Sequence, residues 1–410
     1  MSERSLILIL LCLVAATSGL AGANDWRLWR GGNGNGIASN AAVPPAGWGE
    51  DLNIKWRSVI PGRGHASPIV VDDLVVIATA TDDTQLAIAY DRRDGSVRWR
   101  KTVHEGGVPT DLHRKNTAAS STPASDGKHF YFLFHHRGSL FLSALNRSGS
   151  LLWQREAGGF VCHYGFGYGA SPTLYEDLII ITSEYEEGFI AAFSTKDGSE
   201  KWRVERKLKT SYSSPIVADV AGRDQLLLSG GGKVSSYDPA TGALLWQVDG
   251  SSLATCGTMV WSEDTVFASG GFPNKETLAV RADGSGEVLW RNGDKSYEQS
   301  MLYYGKHLYT LNDNGIALCW DAETGEEKWK VRLGGPVSAS PVLAGGLIYA
   351  MNEQGVTFAY KPNPDLFEKV GEYQLGDEGF ATPVFVGREV FVRTAEHGSE
   401  RQEYLYCVGE

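Results

Sequence analysis

The sequence predicts an all-β protein, an eight-bladed β-propeller of four-stranded antiparallel blades whose ring is closed by an N-terminal strand. A short phrase recurs: Ser-Pro or Thr-Pro opens an apolar run, and a Trp follows a Gly-containing turn a few dozen residues later. The runs are short and β-branched, with no helical periodicity between them. The copies recur every ~40–50 residues, the period of a repeat architecture such as a propeller.

The openings and closings of the phrase mark the repeats. Clear openings lie at Ser67-Pro68, Thr122-Pro123, Ser171-Pro172, Ser214-Pro215, Ser340-Pro341 and Thr382-Pro383. The tryptophans that close the units are predicted to be structural: Trp56, Trp99, Trp153, Trp202, Trp246, Trp290 and Trp329.

Each unit contains four strand-like runs. In the third copy these are 171–174, 178–181, 189–193 and 200–203. The Pro occupies the first residue of a strand, where the missing N–H costs no ladder hydrogen bond. A Gly ends the turn before the last strand, as at Gly198, because a tight hairpin needs a residue that adopts a positive φ. Four-stranded units of this length arranged radially form a propeller.

The number of blades follows from two degenerate openings. The segments Thr255–Thr258 and Gln299–Met301 lack Pro, but each precedes strands that end in a Trp, which brings the predicted total to eight. The last unit, 382–407, has only three strands, and the segment 54–57 supplies the missing fourth. Such closure leaves no open sheet edge in the ring. The seventh blade lacks a closing Trp, and we expect Phe367 in its place.

The chain divides into three predicted parts. Residues 1–23 have the features of a secretory signal peptide: Arg4, an apolar stretch from Leu6 to Ala16, and the small-x-small site Ala21–Ala23. Residues 24–52 form a leader, whose Gly-rich part (31–36) we expect to be flexible, and 53–410 form the propeller. The apolar stretch is shorter than the ~20 residues that span a bilayer. We therefore expect an exported protein, periplasmic or secreted, without a membrane anchor.

Charge and cysteine content narrow the possible partners. The formal net charge of −11 argues against nucleic acid, which clustered Lys and Arg would have to bind. Export permits disulfides, but the cysteines beyond residue 23 are widely separated. Three interpretations remain for them: buried residues or free thiols, one bridge between Cys319 and Cys407, or metal binding. The four cysteines concerned are Cys162, Cys256, Cys319 and Cys407.

The Ser-Pro opening and the Asp-x-x-Thr-Gly-x-x-x-Trp closing resemble the pyrroloquinoline quinone (PQQ)-type propeller repeat. The resemblance extends from about Trp56 to the C-terminus. This PQQ-like family includes quinoprotein dehydrogenases and the periplasmic BamB-type assembly propellers. The Trp-x-x-Trp-Arg-Gly-x-x-Gly-x-Gly segment from Trp26 to Gly36 also resembles the leader of exported planctomycete proteins of unassigned role. The resemblance implies a scaffold rather than one activity.

A quinone-dependent enzyme of this family would need more than the scaffold. The resemblance implies a calcium site beside the quinone, a carboxylate base, and planar groups that sandwich the ring, often including a disulfide between adjacent cysteines. This sequence has no adjacent cysteines, and no motif matches the base or the calcium ligands. We therefore expect no cofactor, with PQQ and calcium as the alternative. His135 and His136 are neighbours in a strand, so their imidazoles cannot share one metal ion.

The candidate binding site is predicted where the period is irregular. Extra residues precede the second and third inner strands, at 104–119 and 160–168. Loops that enter inner strands open around the mouth of the central channel, and repeat proteins tend to carry insertions on the binding face. Ordinary long loops are the alternative interpretation. The candidate channel-mouth residues are His65, His113, Arg114, Asn116, His163, Tyr164, Tyr168, Tyr212 and Cys256, the last at a position where Ser-Pro is expected.

These features favour a non-enzymatic propeller that acts as a protein-binding or assembly scaffold in the cell envelope. We expect a monomer that engages a protein partner, for example by pairing with an extended strand. The alternatives are a PQQ- and calcium-dependent oxidoreductase and a carbohydrate-binding module. The first alternative predicts dehydrogenase activity with PQQ, and the second rests on the aromatic residues of the two irregular loops.

Overall fold

The computed structural model describes residues 25–39, 42–161, 164–208 and 211–410. Within these ranges all regular elements are β-strands, and they form eight four-stranded antiparallel sheets. The predicted all-β, eight-bladed propeller is therefore confirmed. The predicted signal peptide, residues 1–23, lies outside the described residues.

Seven of the blades consist of four consecutive strands, and the eighth combines both ends of the chain. Blades 1 and 2 contain β2 (Ile69–Val71), β3 (Leu74–Ala80), β4 (Thr84–Asp91) and β5 (Val97–Glu105), then β6 (Ala124–Ser125), β7 (His129–His136), β8 (Ser139–Asn146) and β9 (Leu151–Gly159). Blades 3 and 4 contain β10 (Thr173–Tyr175), β11 (Leu178–Ser183), β12 (Phe189–Ser194) and β13 (Glu200–Glu205), then β14 (Ile216–Val220), β15 (Arg223–Gly230), β16 (Lys233–Tyr237) and β17 (Leu244–Asp249). Blades 5 and 6 contain β18 (Val260–Trp261), β19 (Thr265–Gly270), β20 (Glu276–Arg281) and β21 (Val288–Asn292), then β22 (Leu302–Tyr304), β23 (His307–Leu311), β24 (Ile316–Asp321) and β25 (Glu327–Arg332). Blade 7 contains β26 (Val342–Ala344), β27 (Leu347–Met351), β28 (Val356–Tyr360) and β29 (Lys369–Gln374), and blade 8 contains β30 (Val384–Val386), β31 (Glu389–His397), β32 (Arg401–Val408) and β1 (Ile54–Ile60).

The ring closes where β1 pairs with β32, with Trp56 opposite Cys407 and Ile60 opposite Glu403. A buried ion pair joins blade 8 to blade 1. Arg393 donates to Glu403 Oε2 from Nε (2.9 Å) and Nη2 (2.6 Å), and to the carbonyl oxygen of Ala78 in blade 1 (2.7 Å). Both charged side chains are only 2 % exposed.

The closing tryptophans connect neighbouring blades. In six of the seven, the indole N–H donates to a backbone carbonyl in the last turn of the next blade, as Trp56 does to Arg92 (2.9 Å) and Trp99 to Arg147 (2.9 Å). The exception, Trp246, donates to Gln225 Oε1 (2.8 Å). The ring packs directly on the turn glycine: a Cβ at Gly95 would lie 2.5 Å from Trp56 Cε3. The Gly-turn and the Trp therefore recur together because they touch across the blade interface.

Blade 7 does not close as predicted. Phe367 precedes β29, and the residue that pairs with Ala359 at the usual Trp position is Gly371. The Tyr373 hydroxyl lies 2.1 Å from where a Cβ of Gly371 would be, so no larger residue fits. The leader supplies the missing aromatic: the Trp48 ring lies 4.4 Å from that of Tyr373 and is buried.

The Ser and Thr of the openings form a chain of hydrogen bonds around the channel. The backbone N–H of one opening residue donates to the hydroxyl of the next, for example Ser67 to Thr122 (3.0 Å) and Ser300 to Ser340 (2.9 Å). Four more such bonds have donor–acceptor distances of 2.9–3.0 Å. Because Thr258 donates to Ser300, Thr258 holds the opening position of blade 5. The assignment of Cys256 to that position is therefore wrong.

The described residues of the leader pack closely against the ring. Its N-terminal part, residues 25–39, crosses the channel from blade 1 to blade 7, where Trp26 pairs with Val70 and Ala38 N–H donates to the Leu343 carbonyl (2.8 Å). Arg30 is 1 % exposed and donates to the Met301 carbonyl. The glycines that suggested flexibility instead permit close packing: a Cβ at Gly34 would lie 2.0 Å from Ile216 Cδ1. The leader thus closes one end of the channel.

Candidate functional site

An open cavity of about 380 Å³, the mouth cavity, occupies the other end of the channel. From every blade, the residue two positions before the opening Ser or Thr lines this cavity. In blade order these mouth positions are His65, Ser120, Gly169, Tyr212, Cys256, Glu298, Ser338 and Phe380. The repeat therefore keeps the opening Ser or Thr nearly constant and varies the residue that faces the cavity.

The leader forms the deep end of the cavity. Trp29 contributes to the lining, and its indole N–H donates to Thr258 Oγ1 (2.8 Å). In blade 2 the leader contacts the inner strand a few residues beyond the part that lines the cavity: the Arg27 carbonyl accepts from Ser125 N–H (2.9 Å), whereas Thr122 lines the cavity. The cavity is therefore a pocket with one open end.

The two predicted insertions form one wall. The His113 N–H donates to the Gly165 carbonyl (2.8 Å), and the His113 ring lies 4.7 Å from that of Phe166. The Asn116 side-chain amide donates to the Phe166 carbonyl. Phe166 in turn meets Tyr212 edge-on at 5.9 Å. The insertions thus support each other and complete the wall between blades 2 and 4.

A charged cluster forms the opposite wall, and we call it the mouth ion cluster: Lys115, Glu298 and Glu353. Lys115 Nζ lies 3.0 Å from Glu298 Oε1 and 2.9 Å from Glu353 Oε1. Ser338 Oγ lies 2.7 Å from Glu298 Oε2 and 2.8 Å from Glu353 Oε1, so its single proton can be donated to either carboxylate. Lys115 belongs to the insertion before blade 2, whereas the carboxylates belong to blades 6 and 7, so this contact spans the mouth. Burial opposes the charge of Lys115, but the two carboxylates raise its pKa above the usual value.

The imidazole at the blade 1 mouth position is neutral. The His65 ring stacks on Phe380 at 4.1 Å with 14° between the planes, and its Nδ1 lies 3.2 Å from the Lys115 carbonyl oxygen. Burial lowers the pKa of His65 well below the ordinary value, and the positive charge of Arg63 lowers it further. His65 therefore adds a flat, uncharged surface to the cavity.

The described cysteines are free thiols. Cys319 and Cys407 lie buried in blades 6 and 8, so the predicted alternative of a bridge between them is wrong. Cys256 lines the cavity, and burial together with the nearby Glu298 carboxylate raises the pKa of its thiol. The Cys256 thiol is thus held in its protonated, weakly nucleophilic form. Cys162 lies outside the described residues.

The structure brings some of the predicted candidates together and separates others. Five line the mouth cavity: His65, His113, Asn116, Tyr212 and Cys256. Arg114 and Tyr164 are exposed on the loops beside it. Tyr168 is buried beneath the wall, where its hydroxyl donates to the Thr182 carbonyl (2.7 Å). His163 lies outside the described residues.

The predicted candidates include only five of the eighteen residues that line the cavity. Lys115 and Phe166 lie in the two predicted insertions, but Trp29, Tyr297, Glu298 and Phe380 were not candidates. A signal for two of them was present. Glu298 and Phe380 occupy the same register of the repeat as His65 and Tyr212, two residues before an opening Ser or Thr.

The mouth cavity does not fit the calcium–quinone arrangement of the dehydrogenases. Calcium takes 6–8 oxygen ligands, and among the described residues no group of three His, Cys, Asp or Glu could hold a metal ion. Glu298 and Glu353 instead pair with the Lys115 ammonium, which takes the position that a bound metal ion would need. A planar stack of His65 on Phe380 does exist, but in the described part of the chain no cluster of metal-ligating side chains accompanies it.

The fold and this site define a β-propeller with one blocked channel end and one open, aromatic and charged mouth. The family model described as "Outer membrane protein assembly factor BamB" matches residues 49–159, 115–280 and 274–363. The chain belongs to this family. The match covers the blade 1 to blade 7 part of the ring, including both insertions at the mouth.

Individual relatives agree with this assignment. The chain is 22% identical to the outer membrane protein assembly factor BamB of Burkholderia pseudomallei, with 76% of this chain and 88% of the relative covered. It is also 22% identical to the protein of that name from Shewanella oneidensis, with 77% and 79% covered.

Solved structures share the fold at low sequence identity. BamB from Moraxella catarrhalis superposes with a TM-score of 0.61 and 15% identity over 85% of this chain and 98% of that one. A europium-containing methanol dehydrogenase gives a TM-score of 0.71 and 11% identity over 95% and 98%. Identities this low show a common architecture and say nothing of shared chemistry. Among the described residues, no helix is long and apolar enough to cross a membrane.

Proposed function

We propose that this propeller is an exported, non-catalytic scaffold of the cell envelope that acts as a monomer and binds a protein partner at its mouth face. The observation that carries the proposal is the family match over residues 49–363, together with relatives named as outer membrane protein assembly factors. The signal-like segment at residues 1–23 supports export.

The distribution of exposed residues supports the mouth as the contact face. The exposed insertion residues on its outer surface include an aromatic, an apolar and a cationic side chain: Tyr164 is 67% exposed and Val161 48%, and Arg114 lies exposed beside them. Tyr and Arg are enriched where proteins meet. The other end of the channel is closed by the leader, so that end offers no comparable pocket.

The chemistry of the mouth cavity supports binding rather than catalysis. Lys115 is held between two carboxylates, His65 is neutral and stacked, and the Cys256 thiol has a raised pKa. A catalytic nucleophile needs the opposite, a lowered pKa or a base within hydrogen-bond reach. These groups therefore define the shape of a binding pocket and are not activated for a chemical reaction.

Site-specific photo-crosslinking in the native envelope tests the proposal. A crosslinking residue replaces Tyr164 at the mouth, and a control replaces Lys306, which is exposed in the turn between β22 and β23 on the opposite face. We expect one discrete crosslinked protein with the Tyr164 variant and none with the Lys306 variant. Equal crosslinking from both faces, or from neither, would contradict the proposal.

A second assay addresses catalysis directly. The purified protein is incubated with PQQ and calcium and then supplied with alcohols, sugars and a redox dye. We expect no dye reduction above the protein-free control. Sustained turnover of any of these substrates would refute a non-catalytic role.

A further inference from the structure

The walls of the mouth cavity are rich in aromatic side chains. Trp29, Phe166, Tyr212, Tyr297 and Phe380 all line it. Aromatic faces attract ammonium and guanidinium groups through the ring quadrupole. One of these rings already has such a contact, since Lys295 Nζ lies 4.7 Å from the centroid of Tyr297. Several aromatic rings around one cavity are the surroundings that an organic cation prefers.

The mouth ion cluster gives the Glu298 side of the cavity the matching sign, whereas the positive charge of Arg63 acts on the His65 side. In the mouth ion cluster one ammonium, that of Lys115, faces the carboxylates of Glu298 and Glu353, which leaves one negative charge uncompensated. The neighbouring Lys295–Asp313 pair (3.0 Å) is neutral and leaves this balance unchanged. The whole chain has a formal charge of −11, which favours the approach of cations over longer distances.

The negative group is accessible and the cavity has room for a ligand. The Glu298 side chain is 23% exposed, whereas that of Glu353 behind it is 6% exposed. A volume of about 380 Å³ lies within the ~300–1,000 Å³ range of small-ligand pockets. Glu298 can therefore accept from an incoming donor while Lys115 and Ser338 keep it in place.

We infer that the mouth cavity binds an organic cation, an ammonium or guanidinium group, which pairs with Glu298 and packs against the aromatic walls. Under the proposed function, on which this inference rests for its source in the cell, the cation is a Lys or Arg side chain of the protein partner. A free amine has the same chemistry and is the other source. An anion is disfavoured because the Lys115 ammonium is already shared by two carboxylates.

Calorimetric titration of the purified protein tests the cation preference. N-acetyl-lysine methylamide is compared with N-acetyl-norleucine methylamide, a neutral analogue that lacks the ammonium, and with maltose as a neutral sugar. We expect the lysine compound to bind at least tenfold more tightly than either. Equal binding of lysine and norleucine compounds, or binding of maltose alone, would overturn the inference.

Two variants of the mouth ion cluster should act in opposite directions. Glu298→Gln removes the negative charge and should weaken lysine binding at least tenfold. Lys115→Met removes the competing ammonium and should strengthen it several-fold, while Lys115→Arg should restore the original affinity. Glu287→Gln, at an exposed pair with Arg281 on blade 5, is the matched control and should change nothing. A purely structural cluster would instead make Glu298→Gln and Lys115→Met weaken binding alike, which would refute the inference.

The source of the cation is decided by a further titration with cadaverine. Weaker binding of cadaverine than of the lysine compound supports a protein side chain, and tighter binding supports a free amine. This result is independent of the Tyr164 crosslinking experiment. A cavity that binds lysine while no partner crosslinks would refute the scaffold alone, and a crosslinked partner without lysine binding would refute the cation site alone.

Discussion

Removing the buried Arg393 guanidinium should weaken the closure of the ring. In the Arg393→Met variant, Glu403 loses its two bonds from that group, and the carbonyl oxygens of Ala66 and Ala78 lose their donors at 3.2 and 2.7 Å. Breaking a buried ion pair from one side typically costs about 3–5 kcal/mol. Glu403 keeps Arg401 (2.7 Å) and the Gly64 N–H (3.1 Å), so we expect a loss near the lower limit, about 3 kcal/mol.

Urea unfolding followed by tryptophan fluorescence measures this loss. The double variant Arg393→Met/Glu403→Gln also removes the Glu403 charge that has lost its main partner, and it should recover at least about 1 kcal/mol, because the effects of residues in one network are not additive. Arg388→Met is the matched control, since the Arg388–Glu410 pair is 67% and 54% exposed, and it should change stability by less than about 0.5 kcal/mol. An Arg393→Met variant as stable as this control, or strict additivity in the double variant, would refute the reasoning.

Three further predictions concern the leader, the insertion and the cavity. Trp48→Ala should lower the free energy of unfolding in urea by about 3 kcal/mol, because it leaves a cavity beside blade 7 where the indole was buried. The control Leu52→Ala, at an exposed position, should lower it by less than about 0.5 kcal/mol. Equal effects would show that the packing of the leader is dispensable for stability. Burial and a neighbouring histidine lower the pKa of His104 to about 4, so the unfolded chain takes up this proton first, and stability should fall as the pH drops from about 6.5 to 4. His104→Phe should flatten that dependence in urea midpoints measured across the range, and an unchanged slope would contradict the assignment. Because burial and the Glu298 carboxylate raise the pKa of Cys256, iodoacetamide should label its peptide slowly at pH 8 by mass spectrometry; Glu298→Gln should accelerate labelling, and no acceleration would argue against a negative cavity.

The blades could be predicted from the sequence because their signals are local. The opening Ser or Thr recurs in every blade and the turn glycine and the Trp in most blades, so the partly degenerate copies reinforce one another. The failures occur where one blade departs from the others. Blade 7 replaces its Trp by Gly371 and takes Trp48 from a distant part of the chain, and no local pattern near Phe367 contains that information.

The leader shows the same limit. Glycine suggests flexibility when only sequence neighbours are considered. In the structure, Gly34 and Gly36 lie against Ile216 and Arg30, and the absence of a side chain lets the leader pack closely where it crosses the channel. The mouth ion cluster could not be predicted from the sequence either, because Lys115 is distant from Glu298 and Glu353 along the chain and contacts them only in the closed ring.

The mouth positions and the insertions depend on each other, and this dependence explains the shape of the cavity. The positions of blades 2, 3 and 7 are small, Ser120, Gly169 and Ser338. The first two follow the insertions, whose own side chains fill that side of the cavity. The third places its hydroxyl within hydrogen-bond distance of both carboxylates of the mouth ion cluster. Larger residues stand where no insertion intrudes, at blades 1, 4, 6 and 8. Eight identical blades without insertions would not match small mouth residues to neighbouring insertions in this way. The shape of the cavity therefore depends on the positions where this chain departs from its own repeat.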